Sequence, residues 1–92
     1  MKYFVYAIYN RQNDKIYIGQ TKDINLRLRL HNEKIFKGYT ARYTGVWEVV
    51  YREECSDRQA ALVREKQLKS YQGRKYIKGL IKNKINSRVA QR

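Results

Sequence analysis

One carboxylate stands alone among cations in the second part of this chain. Residues 58–92 hold 11 lysines and arginines and a single acid, Glu65. Glu65 follows Ala61 by four positions and Leu62 by three, and precedes Leu68 by three, so on a helix it shares the apolar face. Partial burial of an unpaired carboxylate is costly unless a cation or hydrogen bonds compensate. An ion pair with Lys69, one turn on, is the plain explanation and is worth only about 0.3–0.5 kcal/mol. A solvated pair has no need of the apolar face, which favours metal ligation or catalysis by Glu65. Two other pairs of reactive side chains accompany it. Tyr6 and Tyr17 are phenols that a strand hairpin places on one face, beside Gly19, which leaves space. Arg27 and His31 are four residues apart, one helical turn. Most of the nine tyrosines should simply pack, and only that common face singles out Tyr6 and Tyr17. Cys55 has no neighbour that would make it a nucleophile.

The elements that must carry these groups follow from local pattern. Residues 2–9 and 15–21 are β-branched and aromatic, which predicts two strands joined as an antiparallel hairpin. Tyr6 set opposite Tyr17 leaves the four-residue loop Asn10–Asn13. Val5, Ala7, Ile16 and Ile18 then face one side, and Phe4, Tyr6, Ile8, Tyr17 and Gly19 the other. Residues 23–33 alternate as a strand would, yet Asp23 suits a helix N-cap and leucine and arginine favour helix, so a helix is predicted. Residues 34–45 read as a basic, aromatic loop in which Lys34, Lys37 and Arg42 flank Tyr39 and Tyr43, suited to phosphate contact and stacking. A third strand covers 46–53, with Trp47, Val49 and Tyr51 on one face against Val46, Glu48, Val50 and Arg52 on the other. Ser56 or Asp57 caps a helix running to about Tyr71, ended by Gly73, and a basic helix follows from Arg74 to about Lys84. This order predicts an α+β fold, a small antiparallel sheet with helices packed on it, in one domain over 1–92 with a basic C-terminal helix or tail from about 74.

Composition narrows the class of partner. The net charge is +13, and 42% hydrophobic residues suffice for one core. One cysteine and one histidine exclude disulfide scaffolds and zinc clusters. The longest apolar run, Tyr3–Tyr9, is too short for a membrane span or a signal peptide, so a soluble, cytoplasmic protein is expected. A one-sign field of this size points to a polyanion, with nucleic acid first. Lys69, Arg74 and Lys75 join the loop cations as expected nucleic-acid contacts.

The motifs in order resemble those of GIY-YIG nucleases. Phe4-Val5-Tyr6 and Tyr17-Ile18-Gly19 match the paired signature, although Phe4 replaces its first glycine and Gln20 stands where some relatives carry lysine. Arg27 with His31, Gly38-Tyr39-Thr40-Ala41-Arg42-Tyr43 and Arg64-Glu65-Lys66-Gln67-Leu68-Lys69 continue the likeness, and Asn86 matches a late asparagine. It spans roughly residues 2–86 and is nearest to small stand-alone members similar to the UvrC N-terminal catalytic domain. The resemblance implies a three-stranded antiparallel sheet with flanking helices and hydrolysis of a DNA phosphodiester with one divalent ion, Mg²⁺ or Mn²⁺. It implies Glu65 as metal ligand, Arg27 as the charge stabiliser on phosphate and Tyr6 or Tyr17 as base or its assistant. His31 would orient water or relay a proton. A non-catalytic nucleic-acid-binding or adaptor module keeping the fold is the rival reading. A protein partner would supply targeting. Leu26 and Leu30 offer a self-contact that leaves the oligomeric state open, as are repair, recombination and mobile-element settings.

Overall fold

A computed structural model of the chain describes residues 2–35 and 38–90, with side chains through Asn83. Strand β1 (Tyr3–Asn10) is central, flanked by β2 (Lys15–Thr21) and β3 (Trp47–Cys55), both antiparallel to it. Helix α1 (Ile24–Asn32) follows β2, a 3-10 turn (Tyr39–Arg42) precedes β3, and α2 (Arg58–Lys69) and α3 (Tyr71–Ala90) follow it. The fold is α+β, a three-stranded antiparallel sheet flanked by helices, as the sequence predicts. Among the described residues no helix is long and apolar enough to cross a membrane.

Helices on both faces explain why β1 is apolar without alternation: a strand covered on each side needs apolar residues at every position. Val5, Ala7 and Ile18 pack with Ala61, Leu68, Ile77 and Ile81 of α2 and α3. Tyr6 and Ile8 pack on the other face with Ile24 of α1 and Trp47. Asp23 caps α1 by accepting from Leu26 N at 3.1 Å, and Asp57 caps α2 by accepting from Ala60 N at 2.8 Å. Each cap satisfies an N–H that the first helical turn leaves without a partner.

Three local expectations are corrected. The hairpin pairs Tyr6 with Gly19 and Ile8 with Tyr17, two residues away from the predicted register. Asn10 pairs with Lys15, and the loop is Arg11–Asp14, closed by Asn13 N–H donating to Asn10 Oδ1 and by Asp14 at φ +54°. A slip of two leaves every side chain on its predicted face, because strands repeat every two residues. In β3 a bulge at the Ala7/Ile8 step changes the phase, so Val49 joins Tyr6 and Trp47 while Tyr51 packs on the α2/α3 side. Gly73 does not end a helix. The break comes at Ser70, whose Oγ accepts from Gly73 N–H and so starts α3. Glycine is required at 73 by contact, since a Cβ there would lie 2.4 Å from the Leu68 Cα.

Candidate active site

Tyr6, Tyr17 and Gly19 meet on the α1 face of the hairpin. Tyr6 sits opposite Gly19, and a Cβ on Gly19 would lie 2.8 Å from Tyr6 Oη and 3.0 Å from Tyr17 Cε2. The bare backbone at Gly19 is what lets both phenols lean over β2. The two rings lie 6.3 Å apart, and Tyr17 is 5.0 Å from the His31 ring.

His31 reaches Tyr6 because both ends of α1 are held. Asp23 fixes its start, and Asn32 hooks its end to β3, donating to Trp47 O at 3.1 Å and accepting from Trp47 N at 2.7 Å. His31 Nε2 lies 3.0 Å from Tyr6 Oη, and Nδ1 lies 2.9 Å from Thr40 Oγ1. All three residues are buried. Burial, aided by the Arg27 and Lys34 charges, pulls the His31 pKa down to about 4, so the ring is neutral at physiological pH. A neutral imidazole donates from one nitrogen and accepts at the other, which couples the two bonds. When Thr40 donates to Nδ1, Nε2–H donates to Tyr6 and supports negative charge on its oxygen. In the reverse order Tyr6 donates, and its oxygen receives no proton from the ring. The Thr40 and Tyr6 bonds are therefore coupled through the His31 ring.

The two phenols differ in access. Tyr6 is 2% exposed, and burial, with Tyr17 and Glu65 adding, pushes it well above the ordinary phenol range against the opposing Arg27 charge. Tyr17 is half-buried and stacks on the partly exposed Tyr39 at 6.2 Å. Arg27, half-buried on α1, bears on both Tyr6 and His31. Glu65 lies on α2 with the buried Ala61 and Leu68, its side chain 18% exposed, whereas Leu62, expected on the same face, is exposed because it lies about 100° round the helix from Ala61. Its carboxylate takes Lys69 Nζ at 2.6 Å and also acts on the Tyr6 hydroxyl. The ion pair expected as the plain explanation of Glu65 is therefore present, and the Glu65 charge also reaches Tyr6.

A cage of protein ligands is not present: among the described residues no three of His, Cys, Asp and Glu converge. The donor set nevertheless suits magnesium, which keeps several waters and is usually held by one or two carboxylates plus substrate phosphates. Glu65 is the residue that could supply such a carboxylate.

The expected nucleic-acid contacts divide. Lys34 turns inward, donating to Tyr43 O at 2.8 Å and Gly45 O at 3.4 Å. Arg42 and Lys75 are exposed, Lys69 is paired with Glu65, and Arg74 donates to Lys69 O at 3.1 Å. Lys37 and the Asn86 side chain lie outside the described residues. Sequence reasoning passed over Thr40 and Asn32. Thr40 stands inside the Gly38–Tyr43 motif, and that position was the available signal. Nothing in the local sequence marks Asn32.

Comparison with known proteins places the chain among relatives. The family model described as GIY-YIG catalytic domain matches residues 2–78. A UPF0213 protein of Staphylococcus epidermidis is 36% identical over 81 residues, covering 84% of this chain and 92% of the relative. A UPF0213 protein of Staphylococcus aureus is 35% identical over 85 residues, covering 89% and 96%. The solution NMR structure of a UPF0213 protein from Bacillus halodurans shares the fold, with TM-score 0.51 and 23% identity over 87% of this chain and 85% of that one.

Proposed function

The chain belongs to the GIY-YIG catalytic domain family, and from that premise we propose that it is a divalent-metal-dependent endonuclease hydrolysing DNA phosphodiester bonds beside Tyr6, Tyr17, Arg27, His31 and Glu65. The family is one of nucleases, and the metal, the DNA substrate and the individual roles are our reading. One observation carries it: in a chain of net charge +13, the sole acid of residues 58–92 has its side chain only 18% exposed and its charge acts on the Tyr6 hydroxyl. A module that only bound phosphate would be weakened by an acid there.

Glu65 would hold Mg²⁺ or Mn²⁺ together with substrate oxygens. The bound ion supplies positive charge to the phosphate and its neighbours. The remaining work falls to the chain. Arg27 presents a guanidinium to the charge that develops on phosphate as water attacks. Tyr17, the more accessible phenol, takes the proton of that water. Tyr6, raised and buried, holds the geometry through His31 and Thr40.

Incubation of supercoiled and branched DNA with the protein tests the proposal, in Mg²⁺, Mn²⁺ and EDTA. Cleavage with either ion, abolished by EDTA and reduced by roughly 10³-fold or more in Glu65→Gln, is expected. Cleavage that persists in EDTA, or in Glu65→Gln, would falsify the metal assignment. Binding without cleavage on every substrate overturns the enzyme reading.

A further inference from the structure

A groove of about 510 Å³ runs between the end of the hairpin and α3. Lys15 and Tyr39 line one side, and Arg74, Lys78 and Lys82 line the other above Ile81. Its only acid, Asp14, accepts a hydrogen bond from Tyr9 Oη at 2.8 Å. Among the described residues the ion pairs, such as Lys2–Glu54, Arg11–Glu48 and Arg29–Glu33, lie outside the groove, and none includes one of its cations. Helix α3 has no acid anywhere in its sequence, so the charge of its row is not offset from within the helix.

The row has a period. Arg74, Lys78 and Lys82 recur every four residues, so they share one helix face. At about 1.5 Å per residue the row spans roughly 12 Å. One strand of B-form DNA carries a phosphate about every 3.4 Å along its axis, so that length corresponds to about three to four phosphates. The groove also connects with the reaction centre, because Tyr39 lines it and stacks on Tyr17, which lies 5.0 Å from His31.

We infer that the DNA strand being cut lies with one flank of the scissile phosphate in this groove, its backbone following the α3 cations past Tyr39 to Tyr17. This rests on the nuclease reading for the strand's identity. Lys34, turned onto the Tyr43 and Gly45 carbonyls, is not part of this track.

Binding measured in EDTA separates the groove from the chemistry. The probe is a fluorescein-labelled mixed-sequence duplex, followed by anisotropy over a salt series. The triple variant Arg74→Gln/Lys78→Gln/Lys82→Gln should lower the slope of log K against log salt by about 2–3 and weaken binding roughly 10- to 100-fold at 0.1 M salt. Lys2→Gln/Arg29→Gln/Lys66→Gln makes the same change in net charge outside the groove, and it should alter the slope by less than about 1. Lys15→Gln, on the opposite wall, should lower the slope by about 1 and gives a readout independent of α3 folding. Equal losses in the two triples, or an unchanged slope in the α3 triple and in Lys15→Gln, overturn the inference. Wild-type protein that binds with the expected slope but does not cut in metal refutes the nuclease proposal and leaves the groove standing.

Discussion

The chain brings tyrosine, glutamate and arginine together twice, and adjacent residues of α2 belong to different clusters. Arg64 joins Tyr51 and Glu53, while Glu65, like Tyr17 and Arg27, acts on the Tyr6 hydroxyl. Neighbours on a helix diverge by about 100°, so one helix serves both. In the Tyr51 cluster the partners satisfy each other. Arg64 Nε donates to both Glu53 oxygens at 2.9 and 3.1 Å, and the Tyr51 hydroxyl donates to the same carboxylate. Tyr51's bond, then Arg64, draws the Glu53 carboxyl below its usual range. About a third of each ion-pair side chain remains exposed. In the Tyr6 cluster a neutral histidine is buried against a phenol, the acid sits at the margin, and Arg27 bears on groups that carry no charge at rest. The same side-chain types thus make an anchor where charges neutralise one another and, in the proposed function, a reaction centre where burial keeps the inner groups neutral.

Matched substitutions test that contrast. The largest expected difference lies between the arginines: Arg27→Ala should lower kcat on a cleaved DNA by roughly 10²- to 10³-fold. Arg64→Ala should leave kcat within about threefold and cost at most about 1 kcal/mol in denaturant melts, as half-exposed ion pairs do. Similar kcat losses in both would erase the distinction.

Removing the Thr40 hydroxyl comes next. Thr40→Val keeps the volume and leaves His31 Nδ1 without its partner. It should reduce kcat roughly 10- to 100-fold at little change in KM and shift the pH–rate profile, with Thr40→Ser restoring both. An unaltered pH profile in Thr40→Val means that the threonine only packs.

A third difference appears as stability against pH. His31 has a pKa of about 4 when folded against an ordinary value of 6.5. Between these values the unfolded chain binds more protons, so stability is held above pH 6.5 and drains as pH falls toward 4. The expected loss across that window is on the order of 2–3 kcal/mol. Thermal melts should show a shallower decline in His31→Gln, and parallel curves for the two proteins would count against a neutral buried ring. The smallest effect belongs to the closed cluster, where a double-mutant cycle on Glu53 and Arg64 should give a coupling near 0.5 kcal/mol.

Much of this was legible in advance, for local reasons. Asp23 and Asp57 cap the helices expected of them. The two faces of the hairpin survived a register error, because a period of two tolerates a slip of two. Glu65 was marked by being the one acid in a basic stretch. The β3 bulge was not legible, because an extra residue is specified by what β1 presents across the ladder rather than by β3's own alternation. Gly73 was misread for a similar reason, since its constraint is the backbone of the preceding helix.

The chain's own order of residues thus settled element types, caps, faces and the chemical inventory, all of which depend on neighbours a few positions apart. Partnerships were assigned by folding: Tyr6 with His31 across 25 residues, His31 with Thr40, Asn32 with Trp47, Lys34 with its loop, and the α3 cations with Tyr39. A hydrogen bond needs two groups within about 3 Å, and separation along a chain says nothing of that distance until the sheet and helices have closed around it.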